Sequence, residues 1–143
     1  MRHKVSFFRT ADKALYAHNF HVIVTTRGRR KILLPLAETL IAHFREVDNY
    51  GLDKIRGVAV EDDQLHILVA IPPNRSVAQV AQRLKGHAGF RILKDHPDLA
   101  EKTGGRGLWQ RGYSVKNLGS RSMTDLKEHL HRQRGTGDLV DYA

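Results

Sequence analysis

From Leu65 to Ile71 an apolar residue stands at every second position, and at Pro72-Pro73 the pattern stops. Leu65, Ile67, Val69 and Ile71 therefore share one face of an extended segment, whose other face carries Gln64, His66, Leu68 and Ala70. Directly after the prolines the period changes. Ser76 and Gln79 have the spacing of a capping box, and Val77, Val80, Ala81, Leu84, Ala88 and Ile92 form a helical stripe. A strand with one apolar face and a helix with one apolar stripe must bury them against each other, so the sequence predicts helix laid over sheet.

The same switch recurs along the chain. Residues 19–26 are β-branched and alternating, and read as a strand; the Arg-Gly-Arg-Arg-Lys segment after them is a turn. Leu36, Ala37, Leu40, Ile41, Phe44 and Val47 follow helical spacing from Pro35 to about Tyr50, with Gly51 as the stop. Residues 54–60 and 64–71 read as strands joined by the tight acidic turn Glu61-Asp62-Asp63, and so as a hairpin. Pro97 and Gly104 to Gly107 fall in a connection expected to be mobile. Trp109 to Leu118 reads as a fourth strand, and Ser122 with Asp125 caps a last helix over 123–134 that Gly135 ends. The order β-α-β-β-α-β plus a terminal helix is the α+β, ferredoxin-like split arrangement. It predicts an antiparallel sheet with two helices on one face and the other face left for a ligand. One domain over 1–143 is expected, with its core at 18–134 and a loosely held tail at 135–143.

Charge narrows the partner. Lysine and arginine outnumber acidic residues to give a net charge of +9 and a pI near 10.2. The excess is clustered: Arg27, Arg29, Arg30 and Lys31 surround Gly28; Arg83, Lys85, Arg91 and Lys94 recur along one helix; Arg106, Arg111, Lys116, Arg121, Lys127, Arg132 and Arg134 dominate the carboxy-terminal third. Such clusters favour a polyanion, nucleic acid before an anionic membrane face. There is no cysteine, which removes disulfides and thiolate chemistry. No apolar run nears the roughly 18 residues of a membrane span, and the basic amino terminus lacks a leader's apolar segment, so a cytoplasmic protein with no membrane partner is expected.

Four polar residues sit where apolar ones would serve packing better. Gln64 and His66 project together from the sheet face that the first two helices leave uncovered. On the last helix, Leu126, His129, Leu130 and Gln133 lie on one face, so two polar groups stand within the docking stripe. Water at a sheet edge and local hydrogen bonding on a half-buried helix would account for them. A shared site would as well, with the helix laid over the strand's polar corner. Burial without partners would cost about 1–3 kcal/mol per group, so some mutual arrangement is expected.

At this point the residues resemble a known family. Phe20-His21-Val22-Ile23-Val24-Thr25-Thr26-Arg27-Gly28-Arg29-Arg30, the strand ending in Ile71-Pro72-Pro73, Gln82-Arg83-Leu84-Lys85-Gly86 and Leu108-Trp109-Gln110-Arg111-Gly112-Tyr113 are similar, from about His18 to Gln133, to single-tyrosine HUH transposases of small insertion sequences that move as single-stranded DNA. The resemblance implies a ferredoxin-like core and a homodimer in which the terminal helix packs near the partner's site. It also implies binding to DNA hairpins and cleavage through a 5′-phosphotyrosine. A divalent cation, Mg²⁺ or Mn²⁺, would be held by two histidines of a His-hydrophobic-His strand and by a glutamine one turn after the tyrosine. A phosphodiester is a poor electrophile, so a hard cation is needed to polarise it.

Carried over by position, the first metal histidine falls on Gln64, the second on His66, the tyrosine on His129 and the metal glutamine on Gln133. A glutamine carbonyl can still ligate Mg²⁺, which implies metal binding that is weakened or lost. The leading expectation is therefore a transposase-like protein that binds hairpin or single-stranded DNA and has lost cleavage, with Arg27, Arg29, Arg30, Lys31, Arg83, Lys85 and Arg111 on the DNA. A working variant with His129 as nucleophile, and a regulatory protein that binds RNA or another protein, are the alternatives. The sheet lacks the exposed aromatic ladder of an RNA-recognition sheet, which weighs against RNA.

Overall fold

In the computed structural model the described residues are 4–8, 18–48, 54–73, 75–102, 107–119, 122–134 and 138–142. Strands β1 (Lys4–Phe8), β2 (His18–Thr25), β3 (Lys54–Val60), β4 (Gln64–Ile71), β5 (Ser114–Gly119) and β6 (Asp138–Tyr142) form one sheet in the order β5-β2-β4-β3-β1-β6. Its antiparallel centre, β5-β2-β4-β3, has the predicted ferredoxin-like order. β1 and β6 were not foreseen. β1 extends the sheet antiparallel to β3, and β6 lies parallel to β1, so the tail expected to be loose contributes a strand.

Helix α1 (Ala37–Asp48) follows a 3-10 turn at Leu34–Leu36, which takes up the start of the predicted helix. Tyr50 and Gly51, its expected end, lie outside the described residues. Helix α2 (Val77–Asp95) begins where the capping box placed it, with the Ser76 side chain accepting from the Gln79 N–H at 3.2 Å. The first part of the connection expected to be mobile is a short helix, α3 (Pro97–Lys102), for which Pro97 supplies the first helical position; Gly104, Gly105 and Arg106 lie outside the described residues. The fourth strand is shorter than expected. It starts at Ser114, and Trp109 makes only an isolated bridge to Thr26. Helix α4 (Met123–Arg134) matches its predicted span, and the Asp125 N–H is capped by the Ser122 hydroxyl at 3.2 Å.

Leu65, Ile67, Val69 and Ile71 of β4, with Val22 and Val24 of β2, pack against Leu40, Ile41 and Phe44 of α1 and Val80, Ala81, Leu84 and Ile92 of α2. Hydrophobic burial there fixes the register, because a one-residue slip would turn these side chains away from the helices. The opposite face was expected to be free, and it is not. Ala59, Leu68 and Leu118 meet Leu126 and Leu130 of α4, all buried. The helix's own stripe closes the face that the first two helices leave open. Among the described residues, no helix is long and apolar enough to cross a membrane.

One core histidine makes stability depend on pH. His43 of α1 is buried, and its Nε2 has no hydrogen-bond partner among the described residues. Burial first, then the positive fields of Arg91 and His87 on α2, hold its pKa below the ordinary 6.5, against a smaller raising effect of Glu46. On acidification the unfolded chain takes up this proton before the native one. The resulting stability loss begins near pH 6.5 and continues down to the lowered native pKa. Urea denaturation from about pH 7 to 5 is expected to show a steeper loss for wild type than for His43→Leu; parallel curves would refute the assignment.

Candidate functional site

The closed face between β2, β4 and α4 is not wholly apolar. β4 presents His66, β2 presents His21, and α4 presents His129; the hairpin turn adds Glu61, and all are buried. They form one continuous chain. His66 Nε2 lies 3.0 Å from Glu61 Oε2, His66 Nδ1 lies 2.8 Å from His21 Nε2, and His21 Nδ1 lies 3.0 Å from His129 Nε2. Strand register explains the first two links. Ile23 is opposite His66 and Leu68 opposite His21, so the two imidazoles are diagonal neighbours on one face, within reach of long side chains. On the other side of β4, His66 pairs with Ala59, whose small side chain leaves room for the ring.

The chain has a direction. With Glu61 as carboxylate its oxygen can only accept, so His66 Nε2 carries the hydrogen, and in the neutral ring His66 Nδ1 is left as acceptor. His21 then donates from Nε2 and accepts at Nδ1 from His129 Nε2–H. This tautomer set satisfies every link with neutral rings, and each hydrogen bond points toward Glu61. A fully satisfied polar network of this kind specifies one docking of α4 where apolar contact alone would allow sliding.

Of the residues singled out in the sequence, His66 and His129 are thus brought to one network, but through His21 and not directly. Gln64 stands apart, half-buried, with its amide nitrogen 3.4 Å from Thr25 Oγ1. Gln133 falls in the last turn of α4, and its side chain lies outside the described residues. Sequence reasoning missed His21 and Glu61. The parity of His21, opposite to Phe20, Val22 and Val24, was the available signal: it puts an imidazole on the same sheet face as His66. Glu61 looked like one more turn acid, and nothing in the sequence marks it as buried.

A divalent cation needs donors aimed at one point. Here the nitrogens pair with one another, both nitrogens of His66 are engaged, and among the described residues no three His, Asp or Glu side chains could hold a metal ion. Of the three ligands that the resemblance implied, His66 has both nitrogens engaged, Gln64 stands apart from it, and the Gln133 side chain lies outside the described residues.

The cationic residues fare differently. The turn at Arg27–Arg29, with Gly28 at φ 67° and Arg29 at φ 54°, is tied to the acidic hairpin by Thr26 N–H to Asp63 O and Leu33 N–H to Asp62 O, both 2.9 Å. Arg29 pairs with Asp63 at 2.9 Å on the surface, Arg30 donates to the Lys102 carbonyl, and Lys31 is exposed. Leu108 accepts from the Arg27 N–H, and Gln110 donates to Thr25, both at 2.9 Å, which brings the segment bearing exposed Arg111 beside this turn. Lys85 reaches the same corner, donating to the Gly112 carbonyl at 3.1 Å; partial burial first, and then Arg27, lower its pKa from 10.5. Two clusters separated in sequence therefore share one surface with Lys85, whereas Arg83 sits elsewhere on α2.

Comparison with known proteins agrees with this architecture. The family model described as "Transposase IS200 like" matches residues 14–133. The ISDra2 transposase TnpA of Deinococcus radiodurans is 22% identical over 120 residues, covering 83% of this chain and 86% of that protein. The transposase for insertion sequence element IS200 of Salmonella typhimurium is 31% identical over 71 residues, which is 50% of this chain and 46% of its own. Among solved structures, a transposase candidate from Deinococcus radiodurans R1 superposes with a TM-score of 0.66 at 20% identity, covering 90% of this chain and 99% of that one. A REP-associated tyrosine transposase bound to a REP hairpin gives 0.54 at 13% identity, covering 89% and 74%.

Proposed function

The chain belongs to the IS200-like transposase family, and on that premise we propose that it binds hairpin or single-stranded DNA without cutting it through a tyrosine. The observation that carries this reading is the state of His129. It occupies the position that the family resemblance gives to the nucleophile, yet its ring is buried and hydrogen-bonded into the chain that ends at Glu61. A nucleophile must reach phosphorus with a lone pair, and a ring locked between sheet and helix is placed to hold α4 instead. Gln64 in place of a histidine, and His66 engaged at both nitrogens, support the same reading.

DNA would be held by charge. Arg27, Arg29, Arg30, Lys31, Lys85 and Arg111 line the corner where the cationic turn meets the 107–113 segment, and Arg83, away from this corner on α2, is a further contact. The solved relative bound to a REP hairpin has this fold, which favours a hairpin as the ligand. The reading includes a homodimer, although α4 here packs on its own chain's sheet.

A labelled hairpin with a single-stranded flank is expected to bind at about 50 mM salt and to lose affinity roughly a thousandfold by about 200 mM, if each of these side chains neutralises one phosphate. With Mg²⁺ or Mn²⁺ present, no covalent protein–DNA adduct should survive denaturing electrophoresis. Failure to bind at low salt would sink the DNA reading. An adduct abolished by His129→Ala would instead establish His129 as a working nucleophile.

A further inference from the structure

The surface of α2 turned away from the sheet carries an aromatic ring in the open. Phe90 is 71% exposed, the most exposed large apolar side chain among the described residues. A lone surface aromatic has little meaning by itself; its setting gives it one. At 100° per residue, Gln79, Arg83, Gly86, His87, Phe90 and Lys94 share the outermost stripe of the helix, opposite buried Val80, Ala81, Leu84, Ala88 and Ile92. Arg83, His87 and Lys94 stand at i−7, i−3 and i+4 from the ring, and the stripe contains no acid. The nearby carboxylates lie to one flank, where Arg91 engages Asp95 at 2.9 Å and Glu46 of α1 at 3.2 Å.

We propose that this stripe is a stacking track for unpaired nucleotides, with Phe90 as the platform for one base and Arg83, His87 and Lys94 around the adjoining phosphates. The inference rests on the DNA-binding reading above and extends it to a surface separate from the corner at Arg27. An aromatic face among cations suits a single strand, whose bases offer π-faces while its backbone offers negative charge. A paired stem keeps its bases stacked on each other and has no face to give. A second copy of this chain fits poorly, because apposed stripes would set Arg83 and Lys94 against like charges, with one ring per side as the apolar contact.

The test uses the full chain and oligothymidine, with an abasic oligomer and a blunt duplex of equal length for comparison. Phe90→Leu is expected to weaken oligothymidine binding about tenfold, with Phe90→Trp close to wild type and almost no change for the abasic strand or the duplex. Arg83→Gln with Lys94→Gln should make the salt dependence shallower, by about 1.4 in the logarithmic slope. Because Phe90 is exposed, the variants should melt with the wild type, which separates lost contact from lost fold. Equal oligothymidine affinity for Phe90→Leu and wild type would overturn the inference and leave the DNA reading intact. So would a Phe90→Leu loss of the same size on the abasic strand, or a changed oligomeric state with unchanged DNA affinity. A wild type that binds no DNA at all would overturn both.

Discussion

His21→Phe is expected to lower the unfolding free energy by about 3 kcal/mol, more than His129→Phe at the end of the same network. Phenylalanine is larger than histidine, so the cost is not a cavity. It comes from the partners left behind: His66 Nδ1 and His129 Nε2 each lose the group they face at 2.8 and 3.0 Å, in a site where water does not replace it. An unsatisfied buried polar group costs about 1–3 kcal/mol. His129→Phe orphans only His21 Nδ1 within this chain and should cost about half as much. Because the residues act through shared bonds, the double variant should lose less than the sum of the singles. Urea unfolding curves measure all three. A His21→Phe variant as stable as wild type, or strictly additive losses, would show that the network does not hold α4 in place.

Two glycines on α2 should respond to alanine with opposite signs. At Gly86 an added methyl meets nothing within 4 Å, so alanine gains helix propensity and should stabilise by about 0.5–1 kcal/mol. At Gly89 the same methyl would lie 2.9 Å from Trp109 Nε1 and 3.2 Å from its Cδ1. The indole cannot step aside cheaply, because Nε1 donates to the Lys85 carbonyl at 2.9 Å. Overpacking of about 1–3 kcal/mol, together with a strained hydrogen bond, outweighs the propensity gain of about 1, and a net loss of about 1–2 kcal/mol is expected. The effect should reach function. Trp109 sits between Leu108 and Gln110, whose backbone bonds tie this segment to Arg27 and Thr25, so DNA affinity should fall for Gly89→Ala and hold for a stability-matched variant elsewhere. Trp109 is the one tryptophan of the chain, and its fluorescence reports the change directly. Stabilisation by Gly89→Ala would refute the clamp.

These two sites also mark how far the sequence could be read. The strand at Gln64–Ile71, the capped starts of α2 and α4 and the order of the central elements follow from periods of two and 3.6 residues and from capping spacings, all local properties. The strands β1 and β6 escaped notice because their pairing is with each other and with β3, distant in sequence, and neither segment has a long alternating run. Trp109 reads locally as the start of a strand; its indole instead donates to the Lys85 carbonyl and lies close against Gly89, twenty residues earlier, which no local pattern reveals.

By itself the sequence determined the helix-over-sheet core, the clustered excess of basic residues and the family. Those conclusions need only residue identity, order and spacing. Only the tertiary structure decided that α4 closes the second sheet face, that His129 is a link in a chain through His21 and His66 to a buried Glu61, and that Phe90 stands exposed among cations. The physical reason is that hydrogen-bond partnership and burial belong to pairs of residues brought together by folding. His21 and His129 are separated by 108 positions along the chain and by 3.0 Å across the closed face.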